Sequence, residues 1–221
     1  MTKTVEITLY QFDELSDKAK EKAQDYYITN WMHDDWYECT IEHMKEEGQH
    51  KHGFNIKDIR FSGFWSQGDG ASWAGAVNVK DWIMSKPTTY QEHPTTQIVL
   101  ALIDEGWIDN IVPVTFGTGH YCHEYNMSIG DIEHHYRLEE DVVMEFGMFK
   151  GAQVGELIKI VDAPQGALYD MGKEIEEDCR AFARTIYREL EADYYAQTTE
   201  EAIAEMYAIN DVWFDETGAI A

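Results

Sequence analysis

Residues 56–82 read IKDIRFSGFWSQGDGASWAGAVNVKDW. Ile56 to Trp65 and Ser72 to Trp82 are rich in β-branched and aromatic residues, and SQGDGA between them gathers turn formers. The pattern predicts a β-hairpin with a short polar loop. Ile111 to Thr118 and Tyr125 to Tyr136 read as a second strand pair, joined by GTGHYCHE. At the start of the chain, Val5, Ile7 and Leu9 alternate with Glu6, Thr8 and Tyr10. That is the period of a half-buried strand, predicted over Val5 to Phe12.

Helical signals surround these strands. Ser16 stands where an N-cap belongs, and Ala19, Ala23, Tyr26, Tyr27 and Trp31 recur at helical spacing. The helix is expected to run from Asp17 to about Glu47 with a break near Asn30 to Asp35. Ile98, Val99, Leu102 and Ile103 mark a second helix closed by Gly106. Leu168, Met171, Ile175, Phe182, Ile186 and Leu190 form the apolar stripe of a long helix that opens after Pro164. Thr198 or Thr199 caps one more, through Ala208, and Val212 to Phe214 reads as a short final strand. Glu139 to Phe149 and Val154 to Val161, interrupted by glycines, give no clear period.

The expected fold is α+β. A mostly antiparallel sheet of about five or six strands, two hairpins plus the N-terminal strand, is covered by helices and followed by a long acidic C-terminal helix. A single domain over residues 1–221 is the economical reading, with a composition shift near residue 139 as the one place for a subdivision.

Charge is the chain's most unusual global feature. Its 42 Asp and Glu against 17 Lys and Arg give a net charge of −25, more than half of it in residues 139–221. Such a field repels phosphate backbones, so direct nucleic-acid binding is not expected. It favours basic protein partners; the plain alternative is solubility. Aromatic residues make up 13% of the chain, far from the composition of a disordered acidic tail. Three scattered cysteines (Cys39, Cys122 and Cys179) give no disulfide framework or CxxC pair. The opening MTKTVEITLYQF lacks the apolar core of a signal peptide, and no run approaches the roughly 18 apolar residues of a membrane helix. A cytoplasmic protein with no membrane partner is expected.

Four segments carry candidate function. The hairpin loop offers Trp65 or Trp73 as an anchor, with Gln67 and Asp69 at its tip, or else its polar residues serve turn geometry alone. It matches neither GxxxxGK[ST] nor GxSxG. His120, Cys122 and His123, beside Glu124, Glu133, His134 and His135, are donor types that zinc accepts, at spacings that fit no established zinc signature. They make a metal-dependent or histidine-based enzyme the alternative function. His33, Asp34, Asp35 and Glu38, with His50 and His52, read more simply as a solvated helix face and a connection. On the C-terminal helix Glu174, Glu176, Glu177 and Asp178, then Glu189, Glu191 and Asp193, recur every few residues. That repeat is roughly 5–6 Å along the axis, close to phosphate spacing in one nucleic-acid strand. Such a stripe could occupy a site built for a phosphate backbone, or be an ordinary solvated face partly neutralised by Lys173, Arg180, Arg184 and Arg188. No catalytic residue is singled out and no cofactor is implied.

Four stretches taken together, FDELSDKAKEKAQDYY (12–27), FSGFWSQGDGASWAG (61–75), GHYCHEYNMSI (119–129) and INDVWFDETG (209–218), resemble a family of small proteins from tailed bacteriophages and prophages, often labelled antitoxin-like. The chain departs from that family's pattern after His123 and near Val212-Trp213. The resemblance implies a non-enzymatic protein in a bacterial host cell that binds and inhibits a basic, nucleic-acid-handling host protein: a nuclease, a restriction or other defence component, or a toxin. A DNA-mimic-like inhibitor of this kind would lose binding on reversal of Glu174, Glu176, Glu177 and Asp178 to Lys. A homo-oligomer held by exposed Trp and Tyr is a third reading.

Overall fold

In the computed structural model, which describes residues 7–32, 35–132 and 166–221, the hairpin forms the first half of a four-stranded sheet. β1 (Phe54–Phe61) and β2 (Ala71–Asn78) pair antiparallel, with Ile59 opposite Trp73. β2 pairs with β3 (Ile111–Phe116) and β3 with β4 (Met127–Ile129), giving the order β1-β2-β3-β4, antiparallel throughout. The period-two alternation turns Phe54, Ile56, Trp73, Val77, Val112, Val114 and Met127 to the buried face.

The α-helices among the described residues are α1 (Asp17–Asn30), α2 (Glu38–His52), α3 (Val79–Ser85), α4 (Thr88–Gln91), α5 (Pro94–Asp104), α6 (Ala167–Gln197) and α7 (Glu200–Ile209). The α+β class and the long C-terminal helix are as expected. Among the described residues the sheet has four strands rather than five or six, and the reasons are local. Ile7 to Leu9 form no strand; Tyr10 makes a single bridge to Phe214, and Phe12–Glu14 turn into a 3-10 helix. Val212 to Phe214 likewise contribute only isolated bridges. β2 stops at Asn78 because its side chain accepts the Asp81 N–H at 3.0 Å and caps α3, which claims Val79 to Trp82. Glu124–Asn126 form a 3-10 turn, leaving β4 only Met127–Ile129. The stretches from Glu133 to Gln165 lie outside the described residues, with residue 139, where composition shifts.

Residues 41–188 form one compact unit, and residues 1–40 with 189–221 form another. In the first, the sheet packs on the α6 stripe. Ile175, Cys179, Phe182 and Ile186 are buried, and the Phe54 ring lies 5.2 Å from Trp73 and 5.5 Å from Phe182. The Trp73 indole N–H donates to the Cys179 carbonyl at 3.2 Å, so even its polar atom is satisfied inside the core. That burial pushes the Cys179 thiol pKa upward, away from thiolate chemistry.

The second unit has its own core. Phe12, Leu15, Ala19, Ala23 and Tyr27 pack on Ile203, Tyr207 and Phe214. Tyr207 donates its hydroxyl to the Ala23 carbonyl at 2.7 Å, and burial pushes its pKa up to about 12. Thr199 caps α7 by accepting the Ala202 N–H at 3.2 Å, as its position predicts.

Candidate binding surface

The β1–β2 tip is held by its own polar groups. The Asp69 carboxylate accepts the Ser66 N–H at 2.6 Å and the Trp65 N–H at 3.0 Å. The Ser66 amide, helped by the Trp65 amide and the Ser62 hydroxyl, holds that carboxyl below its ordinary pKa. Asp69 therefore fixes the turn. Ser62 donates its N–H to the Gly70 carbonyl at 3.1 Å, and Tyr187 of α6 donates its hydroxyl to the Gly63 carbonyl at 3.1 Å.

A second loop, residues 117–126, is pinned in the same way. The Asn126 amide donates to the carbonyls of Gly119 at 2.9 Å and Tyr121 at 2.5 Å, and its oxygen accepts the Gly119 N–H at 3.2 Å. His123 accepts the Tyr125 N–H on Nδ1 at 3.4 Å. From α6, Arg180 donates to the Glu124 carbonyl at 3.2 Å and Arg184 lies 3.5 Å from the Glu124 carboxylate.

Glycines let the two loops meet. Gly68 has a φ of +108°, and a Cβ there would lie 2.7 Å from the Tyr121 ring. A Cβ on Gly70 would lie 2.7 Å from that of His123. The loops are in close contact, and three large aromatics on them are exposed: Trp65 and Tyr125, each 69% exposed, and Tyr121, 64% exposed. The Arg180 guanidinium lies 5.4 Å from the Tyr125 ring and adds a cation–π contact beneath it.

This geometry redistributes the residues singled out by sequence. Trp65 and Gln67 are exposed at the tip, whereas Trp73 is a core residue and not an anchor. His120 is exposed and Cys122 half-buried, but among the described residues no three His, Cys, Asp or Glu gather where they could hold a metal ion. His33, Asp34, Glu133, His134 and His135 lie outside the described residues. His52 belongs to the last turn of α2, stacked 5.4 Å from the Phe54 ring, and not to a connection.

The acidic face of α6 is engaged within its own unit. Glu174 accepts the Tyr90 hydroxyl at 2.8 Å. Glu176 takes Lys173 and Arg180, each at 2.7 Å, and Glu177 takes Arg184 at 2.7 Å. Asp178 accepts the Trp82 indole N–H at 2.7 Å and an ammonium proton of Lys86. In the other unit Asp193 accepts from Thr40 at 2.6 Å and Gln197 at 2.8 Å, while Glu189 is exposed and Glu191 half-buried.

Sequence reading missed Tyr121, Tyr125 and the two arginines that hold the Glu124 segment. The one available signal was the pair of glycines in the hairpin loop, which mark a close approach without naming what approaches.

A family model described as a domain of unknown function (DUF8835) matches residues 36–200. No curated protein and no solved structure matches the chain. Among the described residues no helix is long and apolar enough to cross a membrane.

Proposed function

We propose that this chain, which belongs to the DUF8835 family, is a non-enzymatic binder that engages and inhibits a basic, nucleic-acid-handling protein through Trp65, Tyr121 and Tyr125. The observation that carries the reading is the exposure of those three aromatics on two loops in close contact. Large, stiff side chains on a rigid support lose little entropy on docking, which is why Trp and Tyr dominate interface energetics. The net charge of −25 supports a basic partner, by raising the association rate and repelling nucleic acid. The polar groups nearby favour recognition over catalysis: Asp69 holds a turn and His123 accepts a backbone N–H. A bacteriophage setting, in which a compact acidic protein blocks a host nuclease, restriction component or toxin, belongs to the same proposal and rests on the sequence resemblance.

The test is capture from nuclease-treated bacterial lysate with the wild type and with Trp65→Ala/Tyr125→Ala, at about 0.1 M and about 0.5 M salt. A basic protein retained by the wild type, depleted by salt and lost with the double variant is the expected result. Equal retention by both baits, or no specific protein on either, would end this reading.

A further inference from the structure

The unit made of residues 1–40 and 189–221 contains an open cavity of about 870 Å³. Its walls include Tyr27, Trp31, Met32, Trp36, Met206 and Ile209, with the carboxylates of Asp35 and Glu205 at exposed positions of the rim. Three helices end on it. Asn30 is the last residue of α1 and Trp31 its C-cap, Gln197 ends α6, and Ile209 ends α7 with Asn210 as C-cap; all five line the cavity. Each helix C-terminus is the negative end of its helix dipole, damped where last-turn carbonyls such as those of Tyr27, Tyr194 and Met206 already accept local donors. Among the described residues that line the cavity there is no Lys, Arg or His.

Carboxylates, helix C-termini and aromatic faces all attract the same ligand charge. The Asp35 and Glu205 carboxylates repel an anion, and a neutral apolar body leaves their field unanswered. The volume lies in the range of cavities that hold a drug-sized ligand, more than a lone ammonium fills. Met32 and Met206 supply adaptable apolar wall. We infer that the cavity takes a basic amphipathic helix of a protein partner, its apolar side chains against the Trp and Met walls and its Lys or Arg heads toward Asp35, Glu205 and the helix ends. This deepens the proposed function and rests on it only for the basic character of the partner, since the residues are distinct from the aromatic loops.

The experiment titrates the full chain with a fluorescent synthetic amphipathic helix of Leu and Lys, read by anisotropy, against a Leu/Glu helix of the same pattern. Binding of the Leu/Lys helix alone is expected. Glu205→Lys should weaken it about tenfold. Met206→Ser/Ile209→Ser, which changes no charge at positions already 39% and 70% exposed, should weaken it about fivefold. Trp65→Ala/Tyr125→Ala should leave it unchanged, so failure here is separable from failure of the loop reading. Undiminished binding to the Met206/Ile209 variant would reduce the effect to the chain's general charge and overturn the inference. Saturable binding of benzyltrimethylammonium with none of the Leu/Lys helix would also overturn it, by assigning the cavity to a small cation.

Discussion

Two regions of the unit spanning residues 41–188 use polar side chains in opposite ways. On the α6 face, Glu174, Glu176, Glu177 and Asp178 each accept from a donor of the same unit, three of the four from Lys or Arg. On the loop pair, Asp69, Asn126 and Glu124 are also occupied internally, but there they hold exposed aromatics in place. A run of acids in sequence therefore does not guarantee a row of unengaged carboxylates in space. The long-range field of the chain survives such pairing, while on this face three of the four carboxylates have a cation beside them. Surface pairs of this kind contribute little stability each, yet they change which atoms remain available to a partner.

The largest effect that sharpens this contrast lies within the hairpin itself. Trp73→Ala should destabilise the protein by about 3–5 kcal/mol, through lost burial and the cavity it leaves, when followed by denaturant unfolding. Trp65→Ala should stay within about 0.5 kcal/mol of the wild type. A comparable loss for both would mean that the tip is part of the core. On the helix, Asp178→Ala should cost about 1–3 kcal/mol, because it strands the Trp82 indole N–H and the Lys86 ammonium. Glu177→Lys should be close to neutral, and a large loss there would show the face to be structurally uniform.

A smaller effect concerns His52. Burial lowers its pKa, aided by Lys86 and Lys51 and opposed by Glu47 and Asp178. The fold thus favours the neutral imidazole. That contribution is fully present above the unfolded-state pKa and is lost as pH falls through it toward the lowered folded value. Between about pH 7 and about pH 5 the melting temperature of the wild type should therefore drop more than that of His52→Phe, which keeps the ring contact with Phe54. Parallel pH profiles would show that the imidazole does not titrate against the fold.

The fold was legible where a local rule and the tertiary environment agree. β1 and β2 follow from their β-branched and aromatic residues and from turn chemistry, and the α6 stripe from helical spacing, because a sheet face and a helix face meet there. The N-terminal alternation misled because Ile7 and Leu9 are exposed and, among the described residues, no neighbouring strand extends the single Tyr10–Phe214 bridge. Trp65 and Trp73 could not be told apart by composition. Register places Trp73 opposite Ile59 on the buried face, whereas Trp65 lies beyond the last paired residues of the hairpin. Tyr121 and Tyr125 became visible only when Gly68 and Gly70 met the second loop, a contact of long sequence separation that no local pattern encodes. The engagement of Asp178 by Trp82 and Lys86 was hidden for the same reason.

The measurement that bears most directly on this account compares the affinity of one captured basic partner for Trp65→Ala/Tyr125→Ala and for Glu174→Lys/Glu177→Lys, by calorimetry at constant salt. Loss of central aromatic anchors should weaken binding by about two orders of magnitude, and the charge reversal by about tenfold or less. The reverse order, with the aromatic variant near wild type and the helix variant abolished, would contradict the assignment of binding to the loops and return it to the acidic face of α6.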